Sequence, residues 1–194
     1  MDSDIPEFKV VTVGDSGVGK TSLVKRFSEG VFTEGAATTI GAAYVKVDVV
    51  IANSSICLNI WDTAGQERFQ SLIPLYLRSA QACIIVVDIS QKDAVSNLNV
   101  LFENFKDILP QDICLVLAGN KKDLVPDYDP TQLLGWADKN KMSCIFTSAK
   151  SGENVDLLFQ EVGSLVKNSH AGLREDSNYY SLASSEHSNS HSCC

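Results

Sequence analysis

The chain lacks any apolar run that approaches the roughly 18 to 20 residues of a membrane-spanning helix. It also lacks a cluster of lysine and arginine, and with 24 acidic against 16 basic residues its formal net charge is −8. Because a basic patch supplies the electrostatic attraction for nucleic acid, we expect no nucleic-acid partner. The start, Met-Asp-Ser-Asp, is acidic where a signal peptide would be basic, so we expect a cytosolic protein.

Cysteine is scarce, and its spacing indicates neither disulfides nor a zinc site. Cys57, Cys83, Cys114 and Cys144 lie in β-like apolar runs, where a thiol behaves as a small core hydrophobe. Cys193 and Cys194 are adjacent and follow a serine-rich segment. These two cysteines could bind a metal ion together with His187 and His191, as an alternative to the role given to them below, but a flexible tail is poorly preorganised for a metal site.

The most informative stretch is residues 14–21, Gly-Asp-Ser-Gly-Val-Gly-Lys-Thr, which fits the phosphate-loop pattern G-x-x-x-x-G-K-[ST]. It follows a β-branched run and precedes a helical pattern, which disfavours the alternative of an ordinary glycine-rich turn. The glycines let the main chain approach a polyphosphate closely, and successive N–H groups then face the anion. Lys20 supplies a charge for the outer phosphates, and the Thr21 hydroxyl can ligate Mg²⁺.

Strand-like and helix-like segments alternate along the chain. Strands are predicted at 8–13, 44–52, 56–61, 82–88, 113–118 and 142–147, and helices at 20–29, 93–109, 131–140 and 153–166, with a weakly helical stretch ending near 79. Only three residues separate the second strand from the third, so these two should form an antiparallel hairpin. The sequence predicts an α/β fold of three layers: a six-stranded, mostly parallel sheet with one antiparallel edge strand and helices on both faces.

Composition divides the chain into two parts. From about Asn168 it turns to serine, asparagine and histidine, with too few apolar residues to form a core. We therefore expect a domain at 1–167 and a disordered tail at 168–194. An alternative is that Tyr179, Tyr180 and Leu182 dock on a partner as a short segment.

The polar motifs outside the phosphate loop all follow strands, at the end of the sheet where open α/β folds bind ligands. Asp62 ends the third strand and can hold Mg²⁺ through water. Gly65 allows an N–H to face a terminal phosphate, and Gln66 is placed to orient a water. The segment 30–41 between helix and strand shows little periodicity, so we expect a mobile loop that can act as a switch.

Two further strand ends carry a base-recognition pattern. Asn120 and Asp123 form Asn-Lys-x-Asp, whose carboxylate can accept both N–H donors of guanine, an edge that adenine lacks. Lys121 can lie over the ring, and Ala149 can present its backbone N–H to the base oxygen.

These motifs together resemble the small GTPases of the Ras superfamily, and within it the Rab family. The resemblance rests on the phosphate loop, Trp-Asp-Thr-Ala-Gly-Gln-Glu at 61–67, Asn-Lys-Lys-Asp at 120–123 and Ser-Ala-Lys at 148–150. The closer match to Rabs rests on Thr-Ile-Gly at 39–41, Gln-Glu-Arg-Phe at 66–69 and the paired cysteines. Segments 39–44 and 79–82 are similar to early-endosomal Rabs, whereas 72–74 is similar to Golgi ones.

The resemblance implies a P-loop NTPase G domain that binds GTP and GDP with Mg²⁺. Lys20 would contact the outer phosphates and Gln66 would position the attacking water. Thr21 and Thr39 would ligate Mg²⁺, with Asp62 acting through water. The implied nucleotide-binding residues are Asp15, Ser16, Gly17, Val18, Gly19, Lys20, Thr21, Ser22, Phe32, Thr39, Gly65, Asn120, Lys121, Asp123, Ser148, Ala149 and Lys150.

Two of these positions have alternatives. Phe32 matches the position whose ring stacks on guanine, but it could instead anchor the loop to the core. Thr39 is preferred to its neighbour Thr38 because it directly precedes Ile40 and Gly41. The segment 33–37 lacks the aromatic or basic residues that are common there in the family, so the resemblance does not extend to how this loop covers the nucleotide.

The resemblance also implies a monomeric switch in vesicle trafficking with several partners: an exchange factor, a GTPase-activating protein, a GDP dissociation inhibitor, the prenylation machinery and trafficking effectors. No cis arginine finger is evident, so turnover should be slow without the activating protein. Effectors would contact exposed apolar residues beside the switches: Ile40, Trp61, Phe69 and Tyr76. Cys193 and Cys194 would both be geranylgeranylated, since one lipid without a basic patch anchors weakly.

Two other functions compete with this interpretation. A P-loop kinase would need an arginine-rich lid, which the sequence lacks. A pure interaction scaffold would carry a degenerate site, whereas Lys20, Thr21, Asp62 and Gln66 are intact.

Overall fold

The fold is known from a computed structural model, and the description covers residues 5–35, 39, 41–66 and 71–185, with side chains up to residue 170. The predictions for Thr38, Ile40, Phe69, the paired cysteines at 193–194 and the two tail histidines lie outside these ranges. The described helices include none that is long and apolar enough to cross a membrane.

Six strands form one sheet in the order β2-β3-β1-β4-β5-β6. They are β1 Glu7–Val13, β2 Ala42–Ile51, β3 Ser54–Thr63, β4 Ala82–Asp88, β5 Cys114–Asn120 and β6 Ser143–Phe146. β2 and β3 pair antiparallel, and the other neighbouring pairs are parallel. The tight β2–β3 turn places Ala52 and Asn53 at positive φ, as two-residue hairpin turns require. The predicted sheet and its single antiparallel edge strand are confirmed.

Five helices cover the two faces: α1 Lys20–Glu29, α2 Ile73–Leu77, α3 Ala94–Glu103, α4 Thr131–Lys139 and α5 Val155–Ser185. α3 is shorter than the predicted 93–109, because the chain tightens into a 3₁₀ turn at Lys106–Ile108. There the N–H of Phe105 bonds the carbonyl of Phe102 three residues back. The buried Phe105 ring still packs edge-on against Phe102, so the apolar spacing that predicted a longer helix remains satisfied.

Two apolar clusters sandwich the sheet. α1 and α5 cover one face, where Leu23 and Phe159 pack with Val10 of β1. α3 and α4 cover the other, where Leu98 and Leu133 pack with other strand residues. All seven residues of β4 are buried, which confirms the prediction of a central strand apolar on both faces. Cys57 and Cys83 are buried as predicted, whereas Cys114 and Cys144 are only half-buried.

The closing helix is longer than predicted. α5 continues to Ser185, past the residue 166 at which its apolar periodicity ends. Its buried residues Leu158, Phe159 and Val162 fall within the predicted span. Beyond them, the Lys167 ammonium donates to the carbonyl of Ile51, and the His170 ring meets that of Phe8 at 5.5 Å. The division into a domain at 1–167 and a disordered tail stays a prediction.

Candidate nucleotide-binding site

A cavity of about 370 Å³ opens at the carboxyl end of the sheet. Most of the predicted site residues line it: Ser16, Gly17, Gly19, Lys20, Thr21, Ser22, Phe32, Thr39, Gly65, Asn120, Lys121, Asp123, Ala149 and Lys150. Asp15, Val18, Asp62, Gln66 and Ser148 do not line it but flank residues that do. Thr33, Glu34, Gly35, Thr63 and Leu124 line it without having been predicted.

The glycine loop adopts a conformation that depends on its glycines. Gly17 and Gly19 have φ values of 78° and 101°, in the region that favours glycine. A Cβ on Gly19 would also collide with the side-chain nitrogen of Asn120. That amide donates to the carbonyl of Val18 at 2.8 Å and so ties the loop to the end of β5. α1 begins at Lys20, so its N-terminal N–H groups point at the cavity.

The Lys20 ammonium is enclosed by the loop that it follows. It donates to the carbonyls of Gly14 at 2.7 Å and Asp15 at 2.9 Å, and only 5% of the residue is exposed. Burial lowers the pKa of Lys20 to about 8, against the opposing attraction of the Asp62 and Asp15 carboxylates. A polyphosphate in the cavity would favour the charged form, because it adds negative charge beside the amine.

Three side-chain oxygens converge next to Lys20. The Thr21 hydroxyl donates to Asp62 Oδ2 at 2.6 Å and lies 2.8 Å from the Thr39 hydroxyl. Thr12 donates to the other carboxylate oxygen at 3.2 Å. Burial raises the pKa of Asp62, while the hydrogen bonds from the threonines oppose that rise. Two hydroxyls and one carboxylate form an all-oxygen set of the kind that Mg²⁺ prefers, so the residues present fit this ion.

Gly65 lies directly against the phosphate loop. A Cβ at this position would overlap the carbonyl oxygen of Asp15 and the ammonium of Lys20, so only glycine fits the approach. Gln66, the next residue, is half-buried. The end of β3 therefore brings the predicted phosphate-sensing Gly65 against Lys20 in the cavity lining, and the predicted water-positioning Gln66 follows it directly in the chain.

The motifs predicted to recognise the base follow β5 and β6, on the far side of β4 from Lys20. Asn120 Oδ1 accepts from the Thr147 hydroxyl at 3.3 Å and from the backbone N–H of Ala149 at 3.2 Å. The Ser148 hydroxyl donates to Asp123 Oδ1 at 2.6 Å, which links the two motifs. The sequence predicted that the Ala149 N–H faces the base oxygen; in the structure its partner is the amide oxygen of Asn120.

Lys121 has a partner that sequence reasoning missed. Its ammonium lies 2.7 Å from Asp88 Oδ2, and the Asp88 side chain, at the end of β4, is 4% exposed. Asp88 also accepts from the Ser90 N–H and hydroxyl, so it caps the end of β4. Burial acts to raise the pKa of Asp88, but the bonds from Lys121 and Ser90 outweigh it and hold that pKa below its ordinary value.

An aromatic surface lies on the antiparallel edge of the sheet. The Trp61 ring stands 5.7 Å from that of Tyr44 and 6.0 Å from that of Tyr76, while the Lys9 ammonium lies 5.3 Å from the Trp61 ring centre. Trp61 and Tyr76 belong to the predicted effector surface, and Tyr44 was missed. Tyr44 is 53% exposed, and its hydroxyl donates to Asn59 at 2.6 Å.

The six-stranded sheet, the glycine loop before α1 and the Asn-Lys-x-Asp motif at the end of β5 define a P-loop nucleotide-binding domain. The family description "Ras family" matches residues 9–168. A curated relative, "Ras-related protein Rab-5B" of Plasmodium falciparum (isolate 3D7), is 36% identical over 159 residues, which are 81% of this chain and 77% of the relative. The chain belongs to the Ras family and is a small GTPase of the Rab type.

Membership in this family decides the general function. The protein is a GTP hydrolase and a GTP/GDP-controlled switch of vesicle trafficking. The prediction of the family and of the fold class is thereby confirmed.

Proposed function

We propose that this Rab-type GTPase binds GTP and GDP, together with Mg²⁺, in the cavity at the carboxyl end of its sheet. One observation carries the proposal: an enclosed lysine with a converging oxygen set lies at one end of the cavity, and the Asn-Lys-x-Asp motif lies at the other. A nucleoside polyphosphate has matching ends, because its phosphates need cationic and N–H partners and its base needs directed polar groups. In the cavity, the groups suited to the phosphates follow β1 and β3, and those suited to the base follow β5, on the other side of β4.

At the phosphate end, Lys20 and the N–H groups at the start of α1 would hold the β and γ phosphates. Thr21 and Thr39 would ligate Mg²⁺, and Asp62 would hold it through water. When bound, the ion neutralises charge on the phosphates during transfer to water. Gln66 would orient the attacking water, and Gly65 brings that segment against the phosphate loop.

Hydrolysis should be slow in the isolated protein. Phosphoryl transfer depends mainly on positioning and charge stabilisation, and among the described residues the cavity lining contains no arginine. We propose that an activating protein supplies one, which in this class of enzyme accelerates hydrolysis by on the order of 10³ to 10⁵.

The switch would depend on contacts that exist only with GTP. Thr39 lies in the loop after α1, and Gly65 lies in the loop after β3. Loss of the γ phosphate would release both segments and change the neighbouring aromatic surface of Tyr44, Trp61 and Tyr76. Effectors would contact this surface, together with Ile40 and Phe69.

At the base end, Asp123 would accept both N–H donors of guanine and Lys121 would lie over the ring. Phe32 lines the cavity and also packs against the core cluster, so its position supports base contact and loop anchoring together. Asn120 would act mainly by holding the phosphate loop and Ala149 in place.

Membrane attachment would come from lipids on Cys193 and Cys194. Two chains anchor firmly, whereas one needs a basic patch that this tail lacks. An exchange factor, a GDP dissociation inhibitor and the prenylation machinery would then complete the cycle. The resemblance of segment 39–44 to early-endosomal Rabs supports endosomal membranes as the destination.

The first experiment is mass spectrometry of the nucleotide released from the purified protein, followed by single-turnover GTP hydrolysis with and without Mg²⁺. The proposal expects bound GDP or GTP and slow, Mg²⁺-dependent hydrolysis. Bound adenine nucleotide would favour the kinase alternative, and a protein that binds no nucleotide would favour the scaffold.

A second experiment tests the base end with Asp123→Asn. Asparagine presents an amide in place of the second acceptor, so the variant should lose preference for GTP and gain preference for xanthosine triphosphate. Unchanged preference for GTP would remove Asp123 from base recognition.

A further inference from the structure

Arg26 in the last turn of α1 binds three backbone carbonyls from two distant parts of the chain. Its Nε donates to the carbonyl of Ala149 at 2.8 Å, and one terminal nitrogen donates to that of Lys150 at 2.7 Å. The other terminal nitrogen donates to the carbonyl of Gly30 at 2.7 Å. A guanidinium is always charged and presents its donors in a planar fork, so it can hold three acceptors that a lysine could not reach together.

The bonds join the base end of the cavity to the start of the loop that carries Thr39. Ala149 is 3% exposed, and its N–H and carbonyl are both engaged, by Asn120 on one side and by Arg26 on the other. Gly30 is the αL cap that ends α1, and its N–H bonds the carbonyl of Arg26 itself. Arg26 is therefore hydrogen-bonded to Gly30 twice, once through the Arg26 backbone carbonyl and once through the Arg26 guanidinium.

The local packing favours this position of the arginine. Gly152, at φ 85°, would bring a Cβ to 3.8 Å from the Arg26 side-chain stem, so the loop after Ala149 runs beside that stem. Two of the described hydrogen bonds of the guanidinium are to Ala149 and Lys150, which line the cavity, and the third is to Gly30 at the end of α1. None of them involves Lys20, Thr21 or Asp62 at the phosphate end.

We propose that Arg26 is a positioning residue for guanine binding, which fixes segment 149–150 relative to Gly30 and the adjoining residues 31–35. This inference rests on the proposed function of the cavity. Residues 32–35 and 149–150 all line the cavity, so their separation would open it for release of the nucleotide, and the guanidinium opposes that separation with charge-assisted hydrogen bonds. Arg26 thus governs how long GDP stays bound and leaves the hydrolysis step unaffected.

The test uses the full chain with Arg26→Gln, Arg26→Lys and the matched control Lys25→Gln, an exposed charge on the same helix. Dissociation of a fluorescent GDP analogue is measured by displacement with excess GDP. Loss of the charge-assisted bonds should speed dissociation by about tenfold to a hundredfold in Arg26→Gln. Arg26→Lys should give a smaller increase, and Lys25→Gln should match the unchanged protein.

Two readouts separate positioning from general damage. The single-turnover hydrolysis rate at saturating GTP should not change in Arg26→Gln. Affinity for inosine diphosphate, which lacks the exocyclic amino group, should fall by the same factor as affinity for GDP, because Asp123 and not Arg26 reads that group. Asp123→Ala should instead weaken GDP more than inosine diphosphate.

Wild-type dissociation rates in both arginine variants would overturn the inference while the proposed function stands. If Arg26→Gln does not fold, a wild-type rate in Arg26→Lys overturns it alone. A hydrolysis rate that falls in step with affinity would also overturn it, since the residue would then serve the phosphate end. Failure of the unchanged protein to bind any guanine nucleotide would overturn the proposed function and this inference with it.

Discussion

At the scale of single residues, the ion pair of buried Asp88 and half-buried Lys121 shows how charge is arranged beside the cavity. A carboxylate that is 4% exposed would be costly without partners, and here it has the ammonium of Lys121 and two donors from Ser90. Loss of the Lys121 ammonium would leave this buried carboxylate uncompensated. The pair should therefore stabilise the fold, and it fixes the position of the Lys121 side chain beside the cavity.

We expect Asp88→Asn to lower the free energy of unfolding by about 1 to 3 kcal/mol at pH 7, because bonds to a charged acceptor are lost. The pKa of Asp88 is lower in the folded protein than in the unfolded chain. The stabilisation is thus present above the unfolded pKa and is lost as pH falls through the folded one. The difference in the free energy of unfolding between Asp88→Asn and the wild type should be constant from about pH 5 to 8 and should shrink below about pH 4.

Urea unfolding across this pH range measures the difference. The control is Asp127→Asn, since Asp127 is an exposed loop charge whose removal should change stability by less than about 0.5 kcal/mol. A difference for Asp88→Asn that grew as pH fell would contradict the assignment of the charged carboxylate as the stabilising form.

At the scale of elements, two helical glycines offer a matched comparison. Gly135 in α4 is exposed and a Cβ there would meet nothing within 4 Å, whereas a Cβ on Gly163 in α5 would lie 3.0 to 3.2 Å from Ile51 and Ile56. We expect Gly135→Ala to raise the free energy of unfolding by about 0.5 to 1 kcal/mol through helix propensity. Gly163→Ala should gain less or lose stability, because the added carbon crowds the core.

Thermal and urea unfolding of both variants give the comparison. Equal gains at the two positions would mean that the isoleucines move aside without cost.

The closing helix also belongs to this scale. Among the side chains that the structure describes, the last buried one is Val166, and Lys167 and His170 make the last contacts. Removal of residues 171–194 should therefore change the free energy of unfolding by less than about 0.5 kcal/mol and leave GDP binding intact. Hydrogen exchange should be slow at amides 158–166, which include the buried Leu158, Phe159 and Val162, and fast at 171–185, because this segment has few apolar residues and a polar helix is marginal in water by itself.

Slow exchange up to Ser185, or a clear loss of stability on truncation, would show that the tail belongs to the domain. It would also favour the alternative in which Tyr179, Tyr180 and Leu182 are docked.

At the scale of the whole molecule, the proposed lipid anchor would couple the GTP/GDP cycle to membrane attachment. We expect Cys193→Ser with Cys194→Ser to move the protein from membranes to the cytosol in cells, because serine cannot carry a thioether-linked lipid. Fractionation and microscopy measure the distribution. His187→Ala with His191→Ala is the control: a lipid anchor predicts no change, whereas a metal site in the tail predicts the same loss as the cysteine variant.

Local sequence pattern was sufficient to predict most of the residues that line the cavity. Each of three features can be recognised from a few adjacent residues, because it meets a specific requirement of backbone conformation or of chemistry. They are the glycine spacing at 14–19, the strand-terminal Asp62 and the Asn-Lys-x-Asp segment. The predicted end of α3 was wrong, because the 3₁₀ turn near Lys106 keeps the same apolar spacing as a continued helix. Periodicity reports which side chains are buried, and it does not distinguish these two backbone paths.

The sequence by itself determined the family, the fold class and the order of the motifs, since these depend on residue types at short spacing. Only the tertiary structure decided that Arg26 holds the carbonyl of Ala149 and that Asp88 pairs with Lys121. Arg26 and Ala149 are 123 positions apart along the chain. They meet because α1 and the loop after β6 lie at the same end of the sheet, an arrangement set by strand order and side-chain reach that no local pattern encodes.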